Sequence, residues 1–95
     1  MSKRAERLSR DVVICNRRGL HARASAKFAR ETARFEAQIT VSKDGMNVVG
    51  TSIMGLMMLG AAKGDTISIS AAGSGAEDAL AKMCTLVEDR FGEEE

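Results

Sequence analysis

From Leu8 to Cys15 apolar residues recur on alternate positions, with Val12 and Ile14 on one face and the β-branched Val13 on the other, which predicts a strand. Asn16-Arg17-Arg18-Gly19 then supplies turn chemistry. From Ala22 the period lengthens: Ala22, Ala26, Ala29 and Ala33 recur at helical steps, Phe28 adds bulk, and Arg23, Lys27, Arg30 and Arg34 mark a charged face. This predicts a helix running to about Arg34. Alternation returns from Phe35 to Ser42, with Ile39 and Val41 on one face. Lys43-Asp44-Gly45 is a hairpin signal leading into a partner strand over Met46–Val49.

Thr51 or Ser52 caps a short helix containing Ile53, Met54, Leu56, Met57 and Leu59, which ends near Gly60 ahead of the loop Ala61-Ala62-Lys63-Gly64. Asp65 to Ala71 alternates Ile67 and Ile69 against Thr66, Ser68 and Ser70, as a half-buried strand does. Gly73-Ser74-Gly75 is a loop, and a last amphipathic helix from Ala76 to about Phe91 turns Ala79, Leu80, Met83, Leu86, Val87 and Phe91 inward. Asp78, Lys82 and Glu88 point outward. The order strand, helix, strand, strand, helix, strand, helix implies an α+β two-layer domain, with one face of a mainly antiparallel sheet covered by helices and the other wet. No repeat, low-complexity segment or linker interrupts it, so residues 1–95 are expected to form a single domain, frayed at 1–7 and 92–95.

Length and composition narrow the function classes. Ninety-five residues bury roughly two-thirds of their unfolded surface around one core, leaving no room for a deep cleft between lobes, so chemistry should lie near the surface. The 44% hydrophobic and 28% charged residues are a globular balance, and neither a membrane span nor a signal peptide is readable, which points to the cytoplasm. Cys15 and Cys84 are far apart and sit in apolar patterns rather than metal or redox spacings, so both are expected to be reduced and in or near the core, with no metal site and no cofactor. The net charge of +1 conceals an asymmetry: residues 1–36 hold ten Lys or Arg against four Asp or Glu, and residues 37–95 hold four against nine. A basic half can steer toward nucleic acid or an acidic protein, but three Phe and no Trp or Tyr leave little for base stacking, so an acidic protein partner is the better fit.

The only histidine, His21, falls where the first turn meets the first helix, in Gly19-Leu20-His21-Ala22-Arg23. Unpaired backbone N–H groups and the positive end of the helix dipole converge there, a setting suited to an anion. Taken alone, a lone histidine at such a seam is more often a plain cap or a solvated loop residue. Three neighbours shift the balance. Gly19 permits close approach of the backbone, Arg23 offers a planar fork of donors for phosphate oxygens, and the helical residues that follow aim their amides at the same point. A positive helix terminus and Arg23 should keep the imidazole uncharged and nucleophilic near neutral pH and then stabilise an added phosphoryl group.

At these residues the chain resembles the active-site stretch of the histidine-containing phosphocarrier (HPr) family of the bacterial phosphotransferase system. A second block, Ser52-Ile53-Met54-Gly55-Leu56-Met57 with Leu59-Gly60 and the Ala-Lys-Gly loop, is similar to the regulatory-serine segment of the same family. Element order and spacing agree from about Arg10 to Phe91. The resemblance implies an open-faced β-sandwich, four antiparallel strands with three helices on one face. It implies phosphorylation of His21 at Nδ1 by enzyme I, transfer to an EIIA-type protein, assistance from Arg23, and an apolar docking patch of Ile53, Met54 and Met57. Ala22, Lys27 and Arg30 extend the expected docking surface, and Ser52 matches the serine modified by an HPr kinase/phosphorylase in some bacteria. The chain departs from the family at Ala24, where proline commonly follows the arginine and stiffens the first turn.

Blander alternatives stand beside these. Ser52 serves equally as an ordinary N-cap worth about 1 kcal/mol. The methionine-rich run fills a core as readily as it forms an adaptable surface, and the expected division puts Leu56 and Leu59 inside with Met54 and Met57 at least partly exposed. Arg17, Arg18, Lys27, Arg30 and Arg34 equally make a merely solvated face. A regulatory partner protein governed by Ser52, or a nucleic-acid binder using the basic first helix, are the competing functions. With no second titratable group evident near His21 and no metal cluster, the expectation is a monomeric stoichiometric carrier rather than an enzyme, in either a sugar-import or a nitrogen- or potassium-linked branch.

Overall fold

The computed structural model describes residues 7–94, in the order β1 (Arg7–Val13), α1 (Ala22–Thr32), β2 (Gln38–Lys43), β3 (Met46–Val49), α2 (Ile53–Met58), β4 (Thr66–Ala72) and α3 (Ala76–Glu88). A single 3-10 turn follows over Arg90–Gly92. The four strands form one antiparallel sheet ordered β1-β4-β2-β3, with α1, α2 and α3 on one face, the predicted α+β arrangement. Registers such as Val12 opposite Ile67 and Ile69 opposite Val41 put the apolar member of each alternation on the helical side. The hairpin between β2 and β3 closes on Asp44 and Gly45, both with positive φ, as a two-residue turn with the twist of its strands requires.

Ile14, Phe28, Val41, Leu56, Ile67, Ile69, Met83 and Val87 are shut off from solvent and form the centre of the core. The opposite sheet face has no helix over it and carries mostly small polar side chains: Ser9, Asp11, Thr40, Ser42, Asn47, Ser68 and Ser70. Several of these pair across strands, Ser68 with Asp11 and Ser42 with Asn47.

Element boundaries differ from the sequence expectations where backbone hydrogen bonds override periodicity. The expected start of β2 at Phe35 gives way to Gln38, because Ala33, Arg34 and Phe35 still donate to carbonyls of the last turn of α1. The buried stripe of α1 is also not the alanine series. Ala24, Ser25, Phe28, Ala29 and Thr32 face the core, whereas Ala22 and Ala33 are exposed. Two hydroxyl residues take core positions because both are satisfied there: Ser25 Oγ donates to Leu20 O at 3.2 Å, and Thr32 Oγ1 contacts Met83 Sδ at 3.9 Å.

α3 stops at Glu88 rather than Phe91, since Arg90 and Phe91 adopt left-handed φ of 57° and 56°, although Phe91 is still buried. Residues 1–6 and Glu95, where fraying is expected, lie outside the described residues. Arg7, by contrast, pairs with Ala72. The segment after Phe91 is likewise fastened: Lys27 Nζ donates to Phe91 O at 3.1 Å, and Glu93 N to Arg90 O at 2.9 Å. Cys84 is buried and Cys15 half-buried, both as free thiols.

One close approach positions the first turn. Gly19 has φ +66°, and a Cβ there would lie 2.3 Å from Ala61 O and 2.9 Å from Ala62 Cα. Next to it, Leu20 N donates to Ala61 O at 3.0 Å. The turn ahead of α1 is thereby fixed to the loop after α2. Gly19→Ala is expected to lower stability by about 3 kcal/mol, through a left-handed backbone and a backbone clash together, read as a reduced urea midpoint with an unchanged m-value.

Candidate functional site

His21 is the N-cap of α1, with extended backbone (φ −75°, ψ 179°), and Ser25 N donates to His21 O at 2.8 Å to open the helix. The imidazole folds over that first turn, so that Arg23 N donates to Nδ1 at 3.3 Å. An acceptor nitrogen must carry a lone pair, which leaves the ring proton on Nε2. Nε2 in turn donates to Glu93 Oε2 at 2.6 Å. The His21 side chain retains 15% of its exposure and that of Glu93 20%, so the pair sits at the rim of the surface.

The carboxylate of Glu93 is the feature that sequence pattern missed. It lies 72 positions from His21, in a segment expected to fray, and nothing in local periodicity marks it. Contrary to the sequence expectation, a second titratable group does stand beside His21. Glu93 is anchored on its other oxygen by Asn16 Nδ2 at 3.1 Å, and the same nitrogen donates to Gly19 O at 2.8 Å. Asn16 is wholly buried. Burial pushes the Glu93 carboxyl up, but hydrogen bonds from His21 and Asn16, together with the charge of Arg18, outweigh that and hold it below the usual carboxylate range.

Arg17, Arg18, His21, Arg23, Glu93 and Glu94 line an open depression of about 520 Å3. Three arginines and two glutamates thus share this depression with the imidazole. Ala24 is buried and keeps a backbone N–H in the first turn of α1. Among the described residues no group of three or more His, Cys, Asp or Glu could hold a metal ion, and no helix is long and apolar enough to cross a membrane.

The second predicted block forms α2, which packs beside α1. Leu56 and Leu59 are buried, whereas Ile53 and Met57 are each 44% exposed, Met54 71% and Met58 68%. The expected division of the methionine-rich run is the observed one, and Met58 joins the exposed set. Ser52 is the N-cap of α2, its Oγ accepting from Gly55 N at 3.0 Å. Of the predicted docking residues on α1, Ala22 and Arg30 are exposed, whereas Lys27 is half-buried, its ammonium engaged with Phe91 O.

A family model described as the phosphotransferase system HPr component phosphorylation site matches residues 8–89. The chain belongs to the HPr family. It is 42% identical to the phosphocarrier protein HPr of Cupriavidus necator over 88 residues, which span 93% of this chain and 99% of that one. The phosphocarrier protein NPr of Shewanella violacea is 40% identical over 87 residues, covering 92% of this chain and 96% of the relative. Among solved structures, an HPr from Thermoanaerobacter tengcongensis superposes with a TM-score of 0.88 at 40% identity, covering 93% of this chain and 99% of the other. An HPr from Bacillus anthracis gives 0.82 at 40% identity, covering 85% and 96%. Another structure from Thermoanaerobacter tengcongensis is described as an HPr dimer. As an HPr-family member the chain is a phosphocarrier of the phosphotransferase system and not an enzyme.

Because the folded Glu93 carboxyl titrates below its unfolded counterpart, its contribution to stability is present above the usual carboxylate range and is lost as pH falls through it. The difference in urea midpoint between the native chain and Glu93→Gln should accordingly be present at neutral pH and shrink on acidification through that range.

Proposed function

We propose that His21 accepts a phosphoryl group on Nδ1 from enzyme I and passes it to an EIIA-type protein. The observation that carries this reading is the division of labour on one ring: Nε2 is occupied by Glu93, and the Nδ1 lone pair faces the opening turn of α1. In the transfer, Nδ1 attacks phosphorus and an N–P bond forms. The bond from phosphorus to the donor breaks, its electron pair leaving with the donor. Arg23 N–H, released from Nδ1, becomes available to a phosphoryl oxygen, and the Arg23 guanidinium stands at the same depression to take another. An exposed helix terminus contributes only about 0.3–1 kcal/mol to holding the anion, so the group is held loosely enough to be passed on.

Docking by both partners is assigned to Ile53, Met54 and Met57, supported by their exposure on the helix adjoining α1. Unbranched, polarizable methionines adapt to more than one partner surface. Ala22 and Arg30 extend this face beyond the helix boundary, with Arg17 and Arg18 adding positive charge toward an acidic partner. Ser52 is proposed as a regulatory position for an HPr kinase/phosphorylase. A phosphate there would place a dianion beside Ile53 and Met54 and oppose docking to an acidic partner. The carrier is assigned to the cytoplasm as a monomer and a single domain.

Incubation with enzyme I and phosphoenolpyruvate should give an acid-labile, base-stable phosphate that His21→Ala does not acquire; label retained in that variant would reject His21. Arg23→Ala should slow labelling roughly tenfold, the effect of losing one charge-assisted hydrogen bond. Treatment with an HPr kinase and ATP should give an acid-stable phosphate absent from Ser52→Ala, and transfer to EIIA should fall when that phosphate is present.

A further inference from the structure

We propose that Glu93 is a positioning residue for the phosphoryl acceptor: seated by Asn16, its carboxylate holds the proton on Nε2 of His21, presents Nδ1 as the nucleophile, and balances the charge that phosphorylation places on the ring. This rests on the assignment of His21 as acceptor and adds to it the residue that selects which nitrogen reacts.

The geometry is that of a relay running from the Asn16 amide nitrogen through both Glu93 oxygens to Nε2, with Asn16 Oδ1 buried and without a hydrogen-bond partner among the described residues. Asn16, fully buried at the start of the turn, donates from Nδ2 to Glu93 Oε1 at 3.1 Å, and Glu93 Oε2 takes the proton of His21 Nε2 at 2.6 Å. The second nitrogen is left to face the helix start, where only a weakly held backbone N–H at 3.3 Å covers it. Attack through Nδ1 by a ring that keeps its Nε2 proton yields a phosphoimidazolium, with positive charge shared over both nitrogens. A carboxylate on Nε2 compensates that charge from the side of the ring away from the new N–P bond.

The tail is built to deliver this carboxylate. Arg90, Phe91 and Gly92 have φ of 57°, 56° and 79°, a left-handed run that reverses the chain after α3. Left-handed backbone is unfavourable for arginine and phenylalanine, and it is held here by the burial of Phe91 and by Lys27 Nζ on the Phe91 carbonyl. A Cβ on Gly92 would lie 2.8 Å from Lys27 Nζ, so the reversal also passes close to α1. The other charged groups facing the pair are Arg17, Arg18, Arg23 and Glu94.

The test begins on the unphosphorylated chain, by proton–nitrogen NMR of the single imidazole. The native chain should show a solvent-protected proton on Nε2 and a lone-pair nitrogen at Nδ1. Glu93→Ala should lose the protected Nε2 proton while its backbone amide spectrum outside the tail is retained. Its rate of labelling by charged enzyme I should fall on the order of tenfold. Glu93→Gln, which keeps an acceptor oxygen but no charge, should retain the proton signal and still label more slowly than the native chain. A protected Nε2 proton persisting in Glu93→Ala overturns the proposal, as does equal labelling of Glu93→Ala and the native chain. A native chain that shows the Nε2 proton yet takes no label overturns the carrier assignment itself, and is distinguishable because the NMR result needs no transfer.

Discussion

The approach of the Gly19 backbone to the Ala61 carbonyl is the contact from which the rest of the site is built. At 2.3 Å from a hypothetical Cβ, that carbonyl leaves space for hydrogen alone, and the left-handed φ of Gly19 would be unfavourable for any side chain even without the neighbour. The consequence is mechanical. The turn bearing Asn16, Arg17 and Arg18 is tied to the loop after α2, so the His21 imidazole and the methionine surface share one frame. In the proposed carrier role, a partner docking on α2 would meet the imidazole at a fixed offset, the kind of positioning that favours transfer.

Around that fixed turn three parts of the chain converge. The turn contributes Asn16, the start of α1 contributes His21 and Arg23, and the reversed tail contributes Glu93. Each supplies a different kind of group: a buried amide, an imidazole with a guanidinium, and a carboxylate. Their combination gives the two ring nitrogens different environments, one hydrogen bonded to an anion and the other directed at backbone donors. A histidine at a helix start alone would leave both nitrogens open to solvent and its tautomer unselected.

The legible part of the molecule was the part governed by short-range pattern. Alternation at Ile39, Val41, Ile67 and Ile69 gave the strands and their buried face, and Asp44-Gly45 gave the hairpin. Gly19, His21, Arg23 and Ser52 were visible because turn and cap chemistry is local. What escaped was non-local or depended on satisfaction of polar groups. Ser25 and Thr32 are buried in α1 because a carbonyl and a sulfur happen to receive them, which an alanine stripe cannot foretell. Glu93 escaped for a deeper reason: its place is set by left-handed residues at Arg90 and Phe91, a conformation these side chains disfavour and which only tertiary anchoring reveals.

The uncovered face of the sheet has a different significance. Its serines, threonine and asparagine stand on the side of the sheet opposite the helices, and small polar side chains in water exchange for one another with little change in stability. The uncovered layer can therefore change in sequence at little cost to the fold, whereas the face under the helices carries the core. Substitutions that recast the charge or texture of this back should leave the helix-side surface as it is.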